Sequence, residues 1–521
     1  MRDLRSASRI HFDVAIVGGG IIGAGVARDA ARRGLTVGLF EQSDFASGTT
    51  ATSSRLIHGG LRYLASGDLR LVRLDLRERE VLLTIAPHLV KALPFILPLP
   101  RNRALDRVKL RAGMYVYDAL SFDKSLPRHR VLNDATLRRL EPGLDTARLA
   151  GAAMYYDAQV HSPERLTIEN LIDAVEHGAI VLNYAEVVGP VFAGNRVAGL
   201  VIKDHLTGDE VEVRARLIVN ASGPWLDRAA ARLGQQHAPL LRTTKGVHVA
   251  CQRFTEYAVA VESAVDGPLV FAIPWAGYTW VGTTDTDYTG DPAFASATAD
   301  DVAYLVDSLA PHLPAVRRAR RYWACAGVRA LVHTSGSTSD VTRMHRVATD
   351  TPGLVSIVGG KLTGYRAIAE QVTDLVCHAL DVRHNGTTTH APLPGAMASD
   401  GTAGKLEDTY GARAALVRRL VDADPTLATP VVPGRPEIAA QVAFSTRHEW
   451  CVHLEDFMLR RSDLGFAPDR GLGASVAVSL WMQRELGWSE EHRRQELQAY
   501  HARARRDLLG FEPDLQATEA S

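Results

Sequence analysis

Residues 12–17 (FDVAIV) form a short apolar run that passes directly into Gly18-Gly19-Gly20-Ile21-Ile22-Gly23, after which Ala24, Val26, Ala27 and Ala30 recur at helical spacing. Glycines in G-x-G-x-x-G spacing between a strand and a helix leave few folds open. Gly18 permits the turn, Gly20 lets the backbone approach a pyrophosphate, and Gly23 lets the helix pack closely on the sheet. A second strand over residues 36–40 ends at Glu41, placed to accept hydrogen bonds from an adenosine ribose, and Gln42 follows. The pattern predicts an α/β, Rossmann-like domain that binds a dinucleotide. It does not separate NAD from FAD.

Residues 46–64 (ASGTTATSSRLIHGGLRYL) are too polar and glycine-rich for the third strand of a plain nicotinamide domain. They read as a lining. Thr49, Ser53 and Ser54 can donate to phosphate or ribityl oxygens, Leu56 adds an apolar position, and Gly59-Gly60 let the backbone approach an isoalloxazine ring. His58, Arg62 and Tyr63 then fall near that ring; a hydrophilic surface loop is the plainer alternative for the Ser/Thr run. Residues 69–83 carry apolar positions at helical spacing, closed by Pro87, and predict a structural amphipathic helix. Residues 101–120 interleave Arg101, Arg103, Arg107, Lys109 and Arg111 with Leu105, Val108, Leu110, Met114, Tyr115 and Val116. That pattern fits either a docking face for anionic lipid or a solvated helix face packed on the core.

Residues 216–225 (RLIVNASGPW) form an apolar strand ending in Ala-Ser-Gly, which returns the chain to the nucleotide-binding sheet and brings Ser222, Gly223 and Trp225 to its edge. Residues 242–350 read as a β-rich substrate domain, with Lys245, His248 and Arg329 as the candidates to face a ligand. A lone strand histidine is equally at home as a hydrogen-bonded structural residue. In residues 355–366 (VSIVGGKLTGYR) a strand meets Gly359-Gly360, Lys361, Leu362 and Thr363 just before a helix whose apolar positions are Ile368, Val372, Leu375 and Val376. Free N–H groups at that helix start, together with the Lys361 ammonium, would stabilise negative charge on a reduced flavin. Residues 383–401 are rich in Gly, Pro and Thr and mark a domain boundary. Beyond them the pattern is helical, with Ser489 capping a last helix.

Lys plus Arg equals Asp plus Glu at 59 each in 521 residues, so no global field recruits nucleic acid and any anion site needs locally placed cations. The four cysteines are far apart, without metal-ligand or redox spacing, and fit free thiols in a reducing compartment. No apolar signal core precedes the first strand, and no apolar run is long enough to span a bilayer. A cytoplasmic protein able to lie on a membrane is expected, without a metal; homo-oligomer formation is left open.

GGGIIGAG at 18–25, SSRLIHGGLRYL at 53–64, EPGL at 141–144, NASGPW at 220–225, KGVH at 245–248, GTTD at 282–285, GVR at 327–329, GGKLTGYR at 359–366 and LEDFMLRR at 454–461 run nearly end to end along the chain. Together they resemble the FAD-dependent, respiratory glycerol-3-phosphate dehydrogenases, members of the larger family that includes the D-amino-acid oxidases. The resemblance implies an FAD-dependent oxidoreductase region over residues 1–385 and a helical C-terminal cap domain over 386–521. Within the first, FAD-binding segments would cover about 10–90, 155–225 and 340–385, and segments 91–154 and 226–339 would form a β-sheet substrate domain. It further implies oxidation of sn-glycerol 3-phosphate to dihydroxyacetone phosphate by hydride transfer to the flavin, with electrons passed to a membrane quinone. A related oxidase using oxygen on the same substrate or on an amine is the alternative. In that scheme Arg62 and Arg329 clamp the phosphate, His248 takes the hydroxyl proton, Tyr63 positions the substrate, and Lys361 serves the reduced flavin, the substrate oxygen or both. The sequence departs from the family pattern at Ile22, where Asn or Thr is usual, at Ala330, where Pro is usual, and at Gly364, where Thr is usual and which is expected one turn into the helix beyond Lys361.

Overall fold

The computed structural model describes residues 4–65, 67–101, 104–235, 238–333, 344–383, 386–396 and 404–511, without the side chains of Arg62, Ala65, Ala104 and Asp106. Strand His11–Val17 is buried along almost its whole length, as expected for an apolar run flanked by parallel neighbours and covered on both faces. It pairs in parallel with Val37–Phe40 on one side and Glu210–Asn220 on the other. Ile180–Leu182 and Leu354–Val358 extend the sheet in parallel, and Arg346–Thr351 closes that edge antiparallel. Helices Ile21–Arg32, Pro163–Glu176 and Tyr365–Ala379 pack against it, sharing a core with Val14, Ile16, Leu39 and Val219. The α/β fold read from the glycine motif is therefore present. The strand expected from residue 216 begins earlier, at Glu210, because Arg214 continues the ladder, paired with His11 and with Gly199.

A second sheet runs in the order Thr286–Asp287, Leu241–Gln252, Tyr278–Gly282, Leu269–Trp275, Ala258–Glu262, Val90–Pro100, Leu149–Val160 and Leu56–Ile57. Arg321–Val332 joins it against Leu241–Gln252. Leu56–Ile57 lies in the lining segment after the glycine motif, yet it pairs with Gln159 and Ala158 of this second sheet. The lining segment thus stitches the two sheets together. The C-terminal residues form helices Ala414–Ala423, Ala439–His448, Leu472–Leu486 and Glu490–Leu508, the last capped by Ser489 as the sequence predicts. Their core holds Val442, Phe457, Met458, Val478, Met482 and Tyr500.

Two local expectations fail. Leu375 is 39% exposed, since the buried stripe of its helix follows Ile368, Val372 and Val376 at intervals of four, and Leu375 lies off that line. Gly364 is the residue preceding helix Tyr365–Ala379 and not a position one turn inside it, so it costs the helix interior nothing.

The turn from strand to helix is set by close approach. A Cβ on Gly23 would lie 2.0 Å from the Gly18 carbonyl oxygen, whereas one on Gly20 would meet nothing nearer than Thr50 Oγ1 at 3.5 Å. Gly23→Ala is expected to destabilise the protein by about 1–3 kcal/mol through overpacking, seen as a lower thermal unfolding midpoint of the ligand-free protein. Gly20→Ala should leave that midpoint near the parent's. Equal effects of the two substitutions would overturn this account of the turn.

Candidate active site

The carboxyl ends of the parallel strands open into a cavity of about 2510 Å³ shared with the second sheet. Ordinary small-molecule pockets hold roughly 300–1,000 Å³, so this one has room for a dinucleotide and a substrate together. Its wall includes Gly18, Gly20, Ile21, Ile22, Glu41, Gln42, Thr49, Ser53, Ser54, Leu56, His58, Gly60, Tyr63, Ser222, Gly223, Trp225, His248, Arg329, Gly360, Lys361, Leu362 and Thr363. Sequence positions more than three hundred residues apart are thereby brought to one space. Gly19, Gly23 and Gly59 stand behind this wall as supports.

At one end, Gly20 is the N-cap of helix Ile21–Arg32 and no side chain caps it. Among the described residues only the Ile21 N–H of this start is taken, by Thr50 Oγ1 at 3.2 Å. An uncapped helix start beside a glycine whose Cβ position is open fits a pyrophosphate. Glu41 accepts from the Gly19 N–H at 2.7 Å and from the Ser43 N–H at 2.9 Å. Burial raises its carboxyl above the ordinary range, and those two amides offset part of the rise. These residues fit the adenosine and diphosphate half of FAD. Ser222 is less available than expected, since its hydroxyl donates to Asn220 Oδ1 at 2.6 Å.

At the other end, Lys361 Nζ forms an ion pair with the buried Asp75 and sits 4.6 Å from the Tyr63 ring centroid. Asp75 belongs to helix Leu69–Ile85, for which the sequence suggested only a structural role. The missed signal is an acid next to Leu76 and three residues from Val72, on the helix's buried stripe, where an unpaired carboxylate would be costly. Beneath the neighbouring loop, the Gly59 N–H donates to Tyr117 Oη at 3.1 Å, and Tyr117 Oη donates to Asp157 Oδ2 at 2.8 Å. Arg79 Nη1 donates to the same carboxylate at 2.6 Å. The His58 N–H donates to Thr363 Oγ1 at 3.1 Å, tying this loop to the segment after Lys361.

Thr244, Gly246 and His248 alternate along one strand and share a face, and Arg329 lies opposite Thr244 on the neighbouring strand. Arg329 donates to the Thr284 carbonyl at 3.1 Å, to Asp285 Oδ1 at 3.2 Å and to Thr283 Oγ1 at 2.6 Å. A side chain on Gly246 would strike its guanidinium at 2.2 Å, so the glycine makes room for the arginine. Lys245, one residue out of step, points to the other face and pairs with Asp301 at 2.7 Å. The period of two thus separates it from His248, with which the sequence grouped it. The Arg62 side chain lies outside the described residues, and its backbone is in helix Leu61–Ala65.

His248 is 2% exposed, stacked on Trp280 with ring centroids 5.1 Å apart, and its Nε2 is bonded to Ser54 Oγ at 2.8 Å. Its Nδ1 has no hydrogen-bond partner among the described residues. Burial lowers its pKa to about 3, with the nearby Arg329 and Arg55 charges adding to the effect. The imidazole is therefore neutral at physiological pH.

Asp75 yields a pH test that needs no ligand. Burial raises its pKa from 3.8 to about 6, although the Lys361 charge and hydrogen bond oppose the rise. A carboxyl whose folded pKa is raised contributes stability that is full below its unfolded pKa and is lost as pH climbs through the folded one. Between about pH 4 and about pH 7, the stability of Asp75→Asn relative to the parent should therefore shift in the variant's favour, by roughly 1.4 kcal/mol per unit of pKa difference. Thermal unfolding of the ligand-free proteins at both ends of that range measures it, and a constant gap would refute the assignment.

Known proteins match this arrangement. The family described as FAD dependent oxidoreductase matches residues 13–375, and the C-terminal domain of alpha-glycerophosphate oxidase matches residues 355–493. Glycerol-3-phosphate dehydrogenase of Synechocystis sp. is 35% identical over 541 residues, covering 96% of this chain and 98% of that protein. Glycerol-3-phosphate dehydrogenase 2 of Mycobacterium tuberculosis is 35% identical over 528 residues, covering 97% and 90%. The crystal structure of the glycerol-3-phosphate dehydrogenase from Bacillus halodurans complexed with FAD superposes with a TM-score of 0.80 at 28% identity, covering 98% of both chains. With a glycine cradle, an acidic strand end and a lysine-bearing second anchor around one cavity, the chain belongs to the FAD-dependent oxidoreductase family and, within it, to the glycerol-3-phosphate dehydrogenases.

Proposed function

We propose that this enzyme oxidises sn-glycerol 3-phosphate to dihydroxyacetone phosphate, with Arg329 recognising the phosphate. FAD, when bound, supplies the hydride acceptor. The observation that carries this reading is the Arg329 guanidinium in the cavity wall, supported by Thr283, Thr284 and Asp285 and given its space by Gly246. A planar fork held in this way suits a phosphate dianion, which arginine binds through two parallel hydrogen bonds. Arg62 remains the proposed second clamp, and Tyr63, in the same wall, is the proposed positioning group. Lys361 places a positive charge where negative charge develops on the reacting groups.

Burial and the Arg329 and Arg55 charges hold the His248 pKa well below its ordinary value, which weakens this imidazole as a proton acceptor. Its bond to Ser54 supports a role in positioning that hydroxyl, which we propose in place of the base role expected from the KGVH motif. Of the imidazoles in the wall, His58 is only half-buried and lies on the segment joined to Thr363 beside Lys361, so we assign the acceptor role to it. Arg329→Ala should lower kcat/KM for glycerol 3-phosphate by about ten- to a hundredfold, the loss of charge-assisted bonds worth roughly 1.5–3 kcal/mol. His58→Ala should slow flavin reduction at saturating substrate by about 10²–10⁴. His248→Ala should slow it far less. Stopped-flow reduction decides between the two histidines, and the reverse order of effects would return the base role to His248.

A membrane quinone is the proposed electron acceptor, with the protein lying on an anionic bilayer surface. No described helix is long and apolar enough to cross a membrane. Helix Ala104–Leu120 instead leaves Leu105 66%, Val108 64% and Tyr115 69% exposed, and Phe122 just beyond it is 79% exposed. Lys109 and Arg111 flank these apolar side chains, while Arg107 turns back to the Pro100 and Arg101 carbonyls. The same helix contributes Lys109, Leu110 and Gly113 to the cavity wall, which supports an exit route toward that surface. Val108→Glu with Tyr115→Glu should abolish sedimentation with phosphatidylglycerol vesicles, and Arg107→Glu should change it little. Unimpaired sedimentation of the double variant would place the docking face elsewhere.

A further inference from the structure

The segment over residues 41–50 walls the adenosine side of the cavity, contributing Glu41, Gln42, Ser43, Ala46, Ser47 and Gly48. Its course is irregular. Ala46 has φ +63°, and its N–H donates to the Gly19 carbonyl at 3.0 Å, while the Ser47 N–H donates to the Asp44 carbonyl at 3.3 Å. The loop's ends are tied to the sheets, at Glu41 and Ser43 by the Leu182, Tyr184 and Ala185 backbone and at Thr49 by the Val328 carbonyl, while the residues between, Asp44 and Phe45, turn away from the cavity and are gripped from behind. That grip comes from the C-terminal domain.

Asp44 is fully buried, and its carboxylate is held by consecutive residues of the LEDFMLRR motif. Arg461 donates through Nη1 to Oδ2 and through Nη2 to Oδ1, both at 2.9 Å, and Arg460 Nε donates to Oδ2 at 2.5 Å. Asn183 Nδ2 donates to Oδ1 at 3.1 Å and to the Trp450 carbonyl at 2.8 Å, so a strand end of the first sheet joins the same knot. Arg460 is itself anchored by Asp456 Oδ1 at 2.9 Å and Glu455 Oε1 at 3.0 Å. Arg461 Nε is anchored by the Glu449 carbonyl at 3.0 Å. The next residue, Phe45, meets the Trp450 ring edge to face at 5.5 Å, and a Cβ on Gly19 would lie 2.5 Å from Phe45. Phe45 is thus pressed between the glycine cradle and the C-terminal domain.

We infer that Arg460, Arg461 and Trp450 of the C-terminal domain are positioning residues for the adenosine half of FAD, acting through Asp44 and Phe45. None of the three lines the cavity. They fix the turn that follows Glu41, from Asp44 to Gly48, and so set how well the preformed site matches the adenosine. The inference rests on the FAD assignment and gives the C-terminal domain a part in cofactor retention. The two arginines supply a rigid fork that lysine cannot copy, and the tryptophan supplies an edge contact that leucine cannot copy.

The test uses the full-length apoprotein, titrated with FAD by quenching of flavin fluorescence and with ADP by competition. ADP carries only the adenosine half, so it reports on this end of the site alone. Arg461→Lys and Trp450→Leu are each expected to weaken FAD and ADP binding in parallel, by about tenfold or more for Arg461→Lys. A purely structural role would lower the thermal midpoint of the apoprotein and leave both affinities in place. Affinities within about twofold of the parent in Trp450→Leu would overturn the inference. That variant leaves no buried charge unpaired and decides the matter even if Arg461→Lys fails to fold. Loss of FAD affinity with unchanged ADP affinity would also overturn it, because the defect would then lie at the flavin end. A parent apoprotein that binds neither ligand would overturn the FAD assignment itself, and the inference with it.

Discussion

The contact on which the rest of the molecule depends is the approach of helix Ile21–Arg32 to the end of strand His11–Val17, where a side chain on Gly23 would stand 2.0 Å from the Gly18 carbonyl. Only a residue without a Cβ lets the helix start this close to the sheet, and only then does its uncapped first turn face the cavity. The same closeness repeats around the site. A side chain on Gly18 would strike the Ala221 carbonyl at 2.8 Å, which draws strand Glu210–Asn220 against the cradle, and Gly360 at φ +117° turns the chain into the second anchor. The cavity exists because backbones, not side chains, meet at its floor.

Against this backbone floor the walls are held by buried ionic groups arranged in local pairs and clusters. Lys361 with Asp75, Arg79 with Asp157, Arg366 with Glu78, and Arg460 and Arg461 with Asp44 all sit at positions where either partner alone would be strongly destabilising. Such pairs add little net stability over apolar replacements, but each has one geometry, and a wall built from them has one shape. This accounts for a chain with equal numbers of acids and bases that still presents Arg329 and Lys361 in a common cavity. Local pairing offsets the buried charge, and the site's cations remain beside carboxylates that fix them without enclosing them.

What was legible in the sequence followed from strong periodicities and glycine spacing. The parallel strands, the cradle, Glu41 at a strand end, the Ser/Thr lining and Lys361 after Gly359-Gly360 are all patterns that a short window contains. The face on which a strand residue projects is also legible in principle. His248 and Lys245 differ by three positions and therefore face opposite sides of the sheet, which a strict count of two would have separated. Asp75 was not legible in the same way, because its meaning depends on a lysine 286 positions away. Nor was the neutral state of His248, which is set by burial among Trp280, Arg329 and Arg55 and by nothing in its own segment. The LEDFMLRR motif illustrates the limit most plainly, since its arginines act on a carboxylate 416 and 417 positions earlier in the chain.

The second anchor also differs in electrostatic origin from what its sequence suggests. A lysine placed just before a helix invites an account in which the helix start and the ammonium act together on the same ligand edge. The helix begins only at Tyr365, and the intervening Thr363 is tied to the backbone of His58. Lys361 Nζ turns instead toward Asp75 and the Tyr63 ring, so its position is governed by the helix Leu69–Ile85 and not by its own. A half-buried ammonium beside a carboxyl whose pKa is raised to about 6 carries a field that depends on pH, as a helix dipole does not. Below that value the Asp75 proton leaves the lysine charge uncompensated, and above it the pair is closer to neutral. The charge carried by the Lys361–Asp75 pair therefore depends on a buried acid contributed by the lining helix, which joins that helix to the cavity wall electrostatically as well as by packing.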